Sequence, residues 1–396
     1  MTQIITASAG EAQTPSLDDL SILAGPQYVD PLKELEKLLS QPHRAFLLGA
    51  GCSKCAGLPL TSELTKSVEN NSKVSAKTKK IIFSLKEAFN GARPVTIEDY
   101  LSELVDLLSI SERRHFCGAS NTDARVGDNT FTFDDIKNAI NELKHGIVTA
   151  INTCEVRIDT HRRFIKAVHR ALQSGKGGTA APVDYYLLNY DTLIEDALGI
   201  ERLSVADGFS GAATGWWDEK SFDTSSVDAR VLKVHGSIDW YLIDDDILPH
   251  RIRPVSHGNP PSGERVVIWP AATKYRETQR DPYAQILKHI RSRLRPPEKS
   301  ELVLAICGYR FADLHINLEL QQALGESRGG LTLIAFTEED SPTGALQEWL
   351  DKPAVQDQVR VYAKRGFFHG KVVKESASDL PWWKFEVITR LLGGER

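Results

Sequence analysis

A chain of 396 residues, 41% hydrophobic and 26% charged, has the composition of a globular protein with a substantial core, enough for two to three domains or one enlarged α/β domain. A net charge of -5 argues against a dominant nucleic-acid or membrane surface and points to a small ligand. Five cysteines make no disulfide framework in a chain this long, and neither a secretory leader nor a run of about 18 apolar residues is seen, so a cytoplasmic protein is expected.

Residues 1–26, rich in Ser, Thr, Ala, Gly and Pro, read as a flexible leader. An amphipathic helix from Asp30 carries Leu32, Leu35, Leu38 and Leu39 and feeds a short apolar strand at 45–48. That strand opens the stretch RAFLLGAGCSKCAGLP, residues 44–59, in which Gly49-Ala50-Gly51 is followed by small residues and then Pro59. Strand, glycine turn and helix start together let backbone N–H groups approach a phosphate. As a dinucleotide fingerprint the loop is imperfect, because Lys54 stands where a third glycine is wanted.

Helical patterns follow from Thr61 and over 77–89, 97–110, 134–151 and 162–172, with polar breaks at 70–73, 90–94 and 118–130. About 110 residues of helix are too many for one crossover, so 61–179 reads as a helical insertion subdomain. Beyond the glycine-rich break at 175–182, an apolar strand at 183–188 closes on Asn189-Tyr190-Asp191, and a helix resumes over 192–198. Further strands are expected at 230–234, ending in His235-Gly236-Ser237, at 265–269, at 301–306, running into Cys307-Gly308-Tyr309, and at 331–336 and 359–363. The 244–264 stretch reads as a polar surface excursion and 281–294 as a helix with a basic, solvated face. Alternating strands and helices predict an α/β fold: a doubly wound, mostly parallel sheet spanning 27–60 and 180–370, followed by a C-terminal aromatic helix in 371–396 that either caps the domain or binds a neighbour.

In such a sheet, ligands bind beyond the carboxyl ends of strands. Four strand ends deliver Gly49 to Gly51, Asn189 with Asp191, His235, and Gly308. G-A-G-x-S with A-G-L-P, L-N-Y-D-T-L-I-E, K-V-H-G-S-I-D-W and C-G-Y-R-F-A-D-L-H-I-N, in that order, resemble the bacterial sirtuin-like NAD hydrolases of anti-phage defence. The motifs lie within about 40–65 and 180–340, and the resemblance implies a Rossmann-like core with NAD as substrate. It implies that Gly49, Ala50, Gly51 and Ser53 hold the pyrophosphate, with Gly57 and Pro59 completing the loop, and that Gly308 and Tyr309 form the adenosine-side turn. Asn189 would hold the ribose or orient a water. His235 would act as general base, and Asp191 would stabilise the charge that develops as nicotinamide leaves. Each group also has a plain structural use: Asp191 as a helix cap, His235 as a satisfied buried histidine, and Tyr309 as core.

The chain departs from the family's deacylase branch. Leu60-Thr61-Ser62 replaces an acidic-aromatic-arginine triplet, and Cys52-x-x-Cys55 is a single pair inside the glycine loop, so neither a structural zinc nor an acyl-peptide groove is expected. Water is then the expected acceptor, giving NAD glycohydrolase activity; a protein deacylase and an NAD- or ADP-ribose-sensing scaffold of a DNA-processing ATPase are the alternatives. The resemblance further implies control by a HerA-type ATPase, an Argonaute-like partner or self-association into a homo-oligomeric ring.

Overall fold

The computed structural model describes residues 20–89, 91, 94–173, 181–243, 246–253, 263–267 and 281–395. The first nineteen residues of the expected leader, residues 175–180 of the glycine-rich break and the end of the strand expected at 265–269 lie outside the described residues. Within the leader, Leu20 and Leu23 are buried and a helix already begins at Pro26, so its last part belongs to the core.

In chain order, β1 (Arg44–Leu48) opens a large sheet and β2 (Ala124–Val126) and β3 (Asn129–Phe131) pair as a separate hairpin. β4 (Val183–Leu187) and β5 (Val205–Ala206) return to the large sheet, β6 (Phe209–Gly211) and β7 (Thr214–Trp217) leave it, and β8 (Ala229–Lys233) rejoins it. β9 (Gly236–Ile243), β10 (His250–Ile252) and β11 (Gly263–Val267) join β6 and β7 in a second, antiparallel sheet. β12 (Leu302–Cys307), β13 (Leu331–Thr337), β14 (Val359–Ala363), β15 (Gly366–His369) and β16 (Val372–Glu375) complete the large one.

Among the described residues the large sheet has nine strands in the order β16-β15-β14-β13-β12-β1-β4-β8-β5. From β14 to β5 every neighbour is parallel; only the pairings of β15 with β14 and with β16, at one edge, are antiparallel. This is the doubly wound α/β architecture expected from the alternating strands and helices. All residues of β1, β4 and β12 are buried because helices cover both faces, which is why these strands read as apolar runs, interrupted only by Arg44 and Asp184. The two-residue period of a strand divides them between two cores. Ala45, Leu47, Tyr186, Leu304 and Ile306 pack with the helices Tyr283–Arg293, Leu314–Glu326 and Gly344–Asp351. Phe46, Leu48, Tyr185, Val303 and Ala305 pack with the helices Pro26–Leu39, Asp159–Gln173, Leu193–Ile200 and Phe385–Leu392.

The stretch read as one helical insertion divides in its packing. Helices Thr61–Glu69, Ala76–Ala88, Ile97–Phe116 and Phe133–Asn152 share a third core around Val68, Ile81, Tyr100, Leu104 and Leu143. Helix Asp159–Gln173 instead lies on the sheet, where Phe164 meets Phe46 edge-on at 5.2 Å. At the C-terminus Trp382 is fully buried, its indole donates to the Ala363 carbonyl at 2.7 Å, and it stands edge-on to Tyr28 and Tyr362. The aromatic segment thus caps its own sheet. On the helix expected to show a basic solvated face, Lys288, Arg291 and Arg295 pair with Glu219, Glu319 and Glu326. Among the described residues no helix is long and apolar enough to cross a membrane.

Candidate active site

The chain enters the sheet at β1, extends it through β4 and β8, and then returns to the other side of β1 with β12. The order therefore reverses between β1 and β12, and the crevice beyond their carboxyl ends is the topological switch point. The loops leaving these strands interlock through glycines. Gly49 N donates to Cys307 O at 2.9 Å and Gly51 N to Gly308 O at 3.0 Å. A Cβ on Gly49 would lie 2.5 Å from Gly308 O, and one on Gly308, which has φ +63°, would lie 2.4 Å from Cys52 N.

These contacts change the role expected of the loop. The N–H groups of Gly49 and Gly51, read as pyrophosphate donors, are already committed to the opposing loop; their lack of side chains serves the close approach of two backbones. Ala50, between them, is exposed. Gly57, with φ +90°, lies against Glu155 O where the chain returns from the helical block, and Pro59 leads into helix Thr61–Glu69. Cys52 is buried, and burial, first among the causes, pushes its thiol well up; Cys55 is pushed up to about 12, again mainly by burial. Both thiols are therefore protonated at neutral pH and act as small packing groups. Among the described residues no three His, Cys, Asp or Glu side chains converge on a possible metal position.

Ser53 joins the glycine loop to the second strand end. Its Oγ donates to Asp191 Oδ2 at 2.7 Å and accepts from Asn189 Nδ2 at 2.7 Å. The direction follows from chemistry: a carboxylate only accepts, so the serine proton points to Asp191 and the serine oxygen must receive the amide of Asn189. That fixes Asn189 Oδ1 as the free end of the side chain, and this oxygen is buried without a hydrogen-bond partner. Asp191, expected among the catalytic groups, has its other oxygen on Leu193 N at 3.1 Å and is 8% exposed. Each oxygen thus has a partner: Asp191 ties the start of helix Leu193–Ile200 to Ser53.

The turn after β4 is held from β8. Lys233 is buried; its Nζ donates to the Asp191 and Tyr190 carbonyls and pairs with Glu195 at 3.1 Å. Tyr190 O also accepts Ile238 N at 3.0 Å and Ser237 Oγ at 3.3 Å. Burial pushes Glu195 up to about 7, with Lys233 pulling the other way. Two residues beyond Lys233, His235 is 3% exposed. Its Nδ1 lies 3.1 Å from Leu188 O and its Nε2 lies 3.5 Å from Asp313 Oδ2.

Gly308 and Tyr309 leave β12 on the far side of the crevice. The Tyr309 hydroxyl faces Asp313 O and Asn317 Oδ1, each at 3.0 Å, while the ring joins the core. The structure thus brings together the glycine loop, Ser53, Asn189, Asp191 and Gly308, and sets His235 against the Leu188 carbonyl that precedes Asn189. Lys233 and Asp313 complete these connections and were missed as site residues. Both stand in quoted motifs, Lys233 opening K-V-H-G-S-I-D-W, but their partners are remote in the chain and no local pattern names them.

No curated protein matches the chain. Solved structures that it resembles include a Sir2 homologue in complex with NAD, at 12% identity over 91% of this chain and 93% of that one with a TM-score of 0.39. A mutant Sir2 homologue in complex with ADP-ribose is similar at 11% identity over 91% and 95%, with a TM-score of 0.38. The family model that matches is that of the SIR2-like domain, over residues 185–357, a span that holds Asn189, Asp191, His235, Gly308 and Tyr309.

Proposed function

We propose that the crevice binds NAD and cleaves its nicotinamide–ribose bond with water as acceptor. The observation that carries this is the orphaned Asn189 Oδ1: an amide fixed by Ser53 presents a buried carbonyl oxygen that requires a donor, beside loops built for close backbone approach. A ribose hydroxyl or an attacking water supplies such a donor. The SIR2-like match over 185–357 supports a nicotinamide dinucleotide over other nucleotides.

In this reading Asn189 orients the ribose or water, and His235 accepts the proton released on attack. Asp191 acts through Ser53 as a positioning residue. Gly49, Gly51, Gly308 and Tyr309 shape the walls, with Ala50 exposed between the two glycines. Loss of nicotinamide leaves an oxocarbenium-like ribose that water captures to give ADP-ribose. By the motif resemblance, the biological setting we propose is anti-phage defence through NAD depletion, controlled by a HerA-type ATPase, an Argonaute-like partner or self-association.

Asn189→Ala is expected to weaken NAD binding about tenfold, read by titration calorimetry, since one buried hydrogen bond is lost. His235→Ala is expected to leave binding nearly unchanged and to slow nicotinamide release about a hundredfold or more. Unaltered binding in Asn189→Ala together with unaltered turnover in His235→Ala rules the reading out. Release of acetyl groups from lysine peptides in place of free ADP-ribose selects the deacylase instead.

A further inference from the structure

The geometry points to Asp313 as a latch on His235, an assignment that rests on the NAD-cleaving reading for its consequence but not for its chemistry. Leu188 O only accepts, so His235 Nδ1 must carry a proton to meet it at 3.1 Å. The lone pair available to take a proton in catalysis is then on Nε2. That nitrogen faces Asp313 Oδ2 at 3.5 Å, with His235 3% and Asp313 8% exposed. A lone pair and a carboxylate oxygen repel, so the contact is favourable only with a proton between them; imidazole is the stronger base of the two and takes it on Nε2, leaving two buried charges paired. Held this way, His235 is an imidazolium with both nitrogens engaged and cannot act as base.

The latch is braced from its own side. Asp313 Oδ1 caps helix Leu314–Glu326 through His315 N at 3.1 Å, and Asp313 O faces the Tyr309 hydroxyl at 3.0 Å. Asn317 Nδ2 donates to Phe311 O at 2.7 Å, and Phe311 holds φ +55°, a left-handed conformation a phenylalanine rarely adopts. The 308–313 loop is thus both a wall of the crevice and the arm that presents Asp313. Withdrawal of that arm frees Nε2, and its proton passes to water as the carboxylate departs.

Asp313→Asn and Asp313→Ser both keep a good helix cap while removing the charge. In protein labelled with ¹⁵N-histidine at neutral pH, the His235 signals, identified by their loss in His235→Gln, should show both nitrogens protonated in the wild type. In Asp313→Asn and Asp313→Ser, Nε2 should be unprotonated. Nicotinamide release should rise about tenfold in both variants if the latch closes roughly nine molecules in ten. An unprotonated Nε2 already in the wild type, an unchanged spectrum in both variants, or release falling to the His235→Ala level overturns the latch. The spectrum alone decides the pairing, so absence of nicotinamide release from every form counts against the NAD-cleaving reading and not against Asp313.

Discussion

Gly308→Ala is expected to cost about 3 kcal/mol or more of stability, from a left-handed backbone and an overpacked contact together. Gly308 has φ +63°, and its Cβ would lie 2.4 Å from Cys52 N and 2.8 Å from Gly51 C. Both obstacles are backbone atoms of the opposing loop, itself held by Gly49 N to Cys307 O and Gly51 N to Gly308 O. Neither loop can yield without breaking the seam between them. Gly118→Ala is the control: it has φ +71° and nothing within 4 Å, so it bears the backbone term alone, about 1 kcal/mol. Urea denaturation of the two variants separates the terms, and equal costs would show that the loops do not interlock.

Acidification should destabilise the protein between pH 6.5 and 4.5. His161 and His169 are 1% and 3% exposed, and burial, first among the causes for each, drives both down from 6.5 to about 4. A histidine with a lowered folded-state value leaves the unfolded chain holding more protons, so stability is lost as pH falls through this window. Each shift corresponds to about 3 kcal/mol when complete. Glu195 acts in the opposite sense: raised from 4.5 to about 7, it holds a proton that the unfolded chain gives up, and favours the fold as pH falls. Two histidines against one glutamate leave a net difference near one proton, about 1.4 kcal/mol per pH unit. His289, lowered chiefly by burial, adds in the histidine direction, while Glu103, Asp184 and Asp207, raised chiefly by burial, act with Glu195. Denaturation midpoints measured across this range should therefore fall with pH. Glu195→Gln should steepen the fall, and a double substitution of His161 and His169 by Gln should abolish it. A wild-type midpoint that holds steady or rises on acidification would contradict the assignment.

How much of this was legible beforehand follows from which forces act locally. β1, β4 and β12 could be read because strands buried on both faces are largely apolar, here ending in glycine or Asn-x-Asp turns. The second sheet could not. β9 directly follows His235 where a turn was expected, and its mixed sequence GSIDWYLI is shaped by partners on β10 and β11 rather than by its own pattern. The hairpin of β2 and β3 has strands of three residues, too short to show a period.

At the site, the motifs named Asn189, Asp191, His235 and Gly308 as neighbours but not how they connect. Ser53 was read as a phosphate ligand because its place in the glycine loop is local information. Its bonds to Asn189 and Asp191 depend on the sheet order that sets β4 beside β1. The glycines were visible as glycines, whereas the fact that Gly49 and Gly51 face Gly308 requires β12 to return beside β1.

Product analysis after the purified full chain meets NAD tests the central claim most directly. Nicotinamide and free ADP-ribose should appear in equal amounts, by a reaction that His235→Ala slows about a hundredfold. NAD that stays intact with the wild type and with Asp313→Asn alike, or nicotinamide released equally fast by His235→Ala, would contradict a crevice built to cleave it.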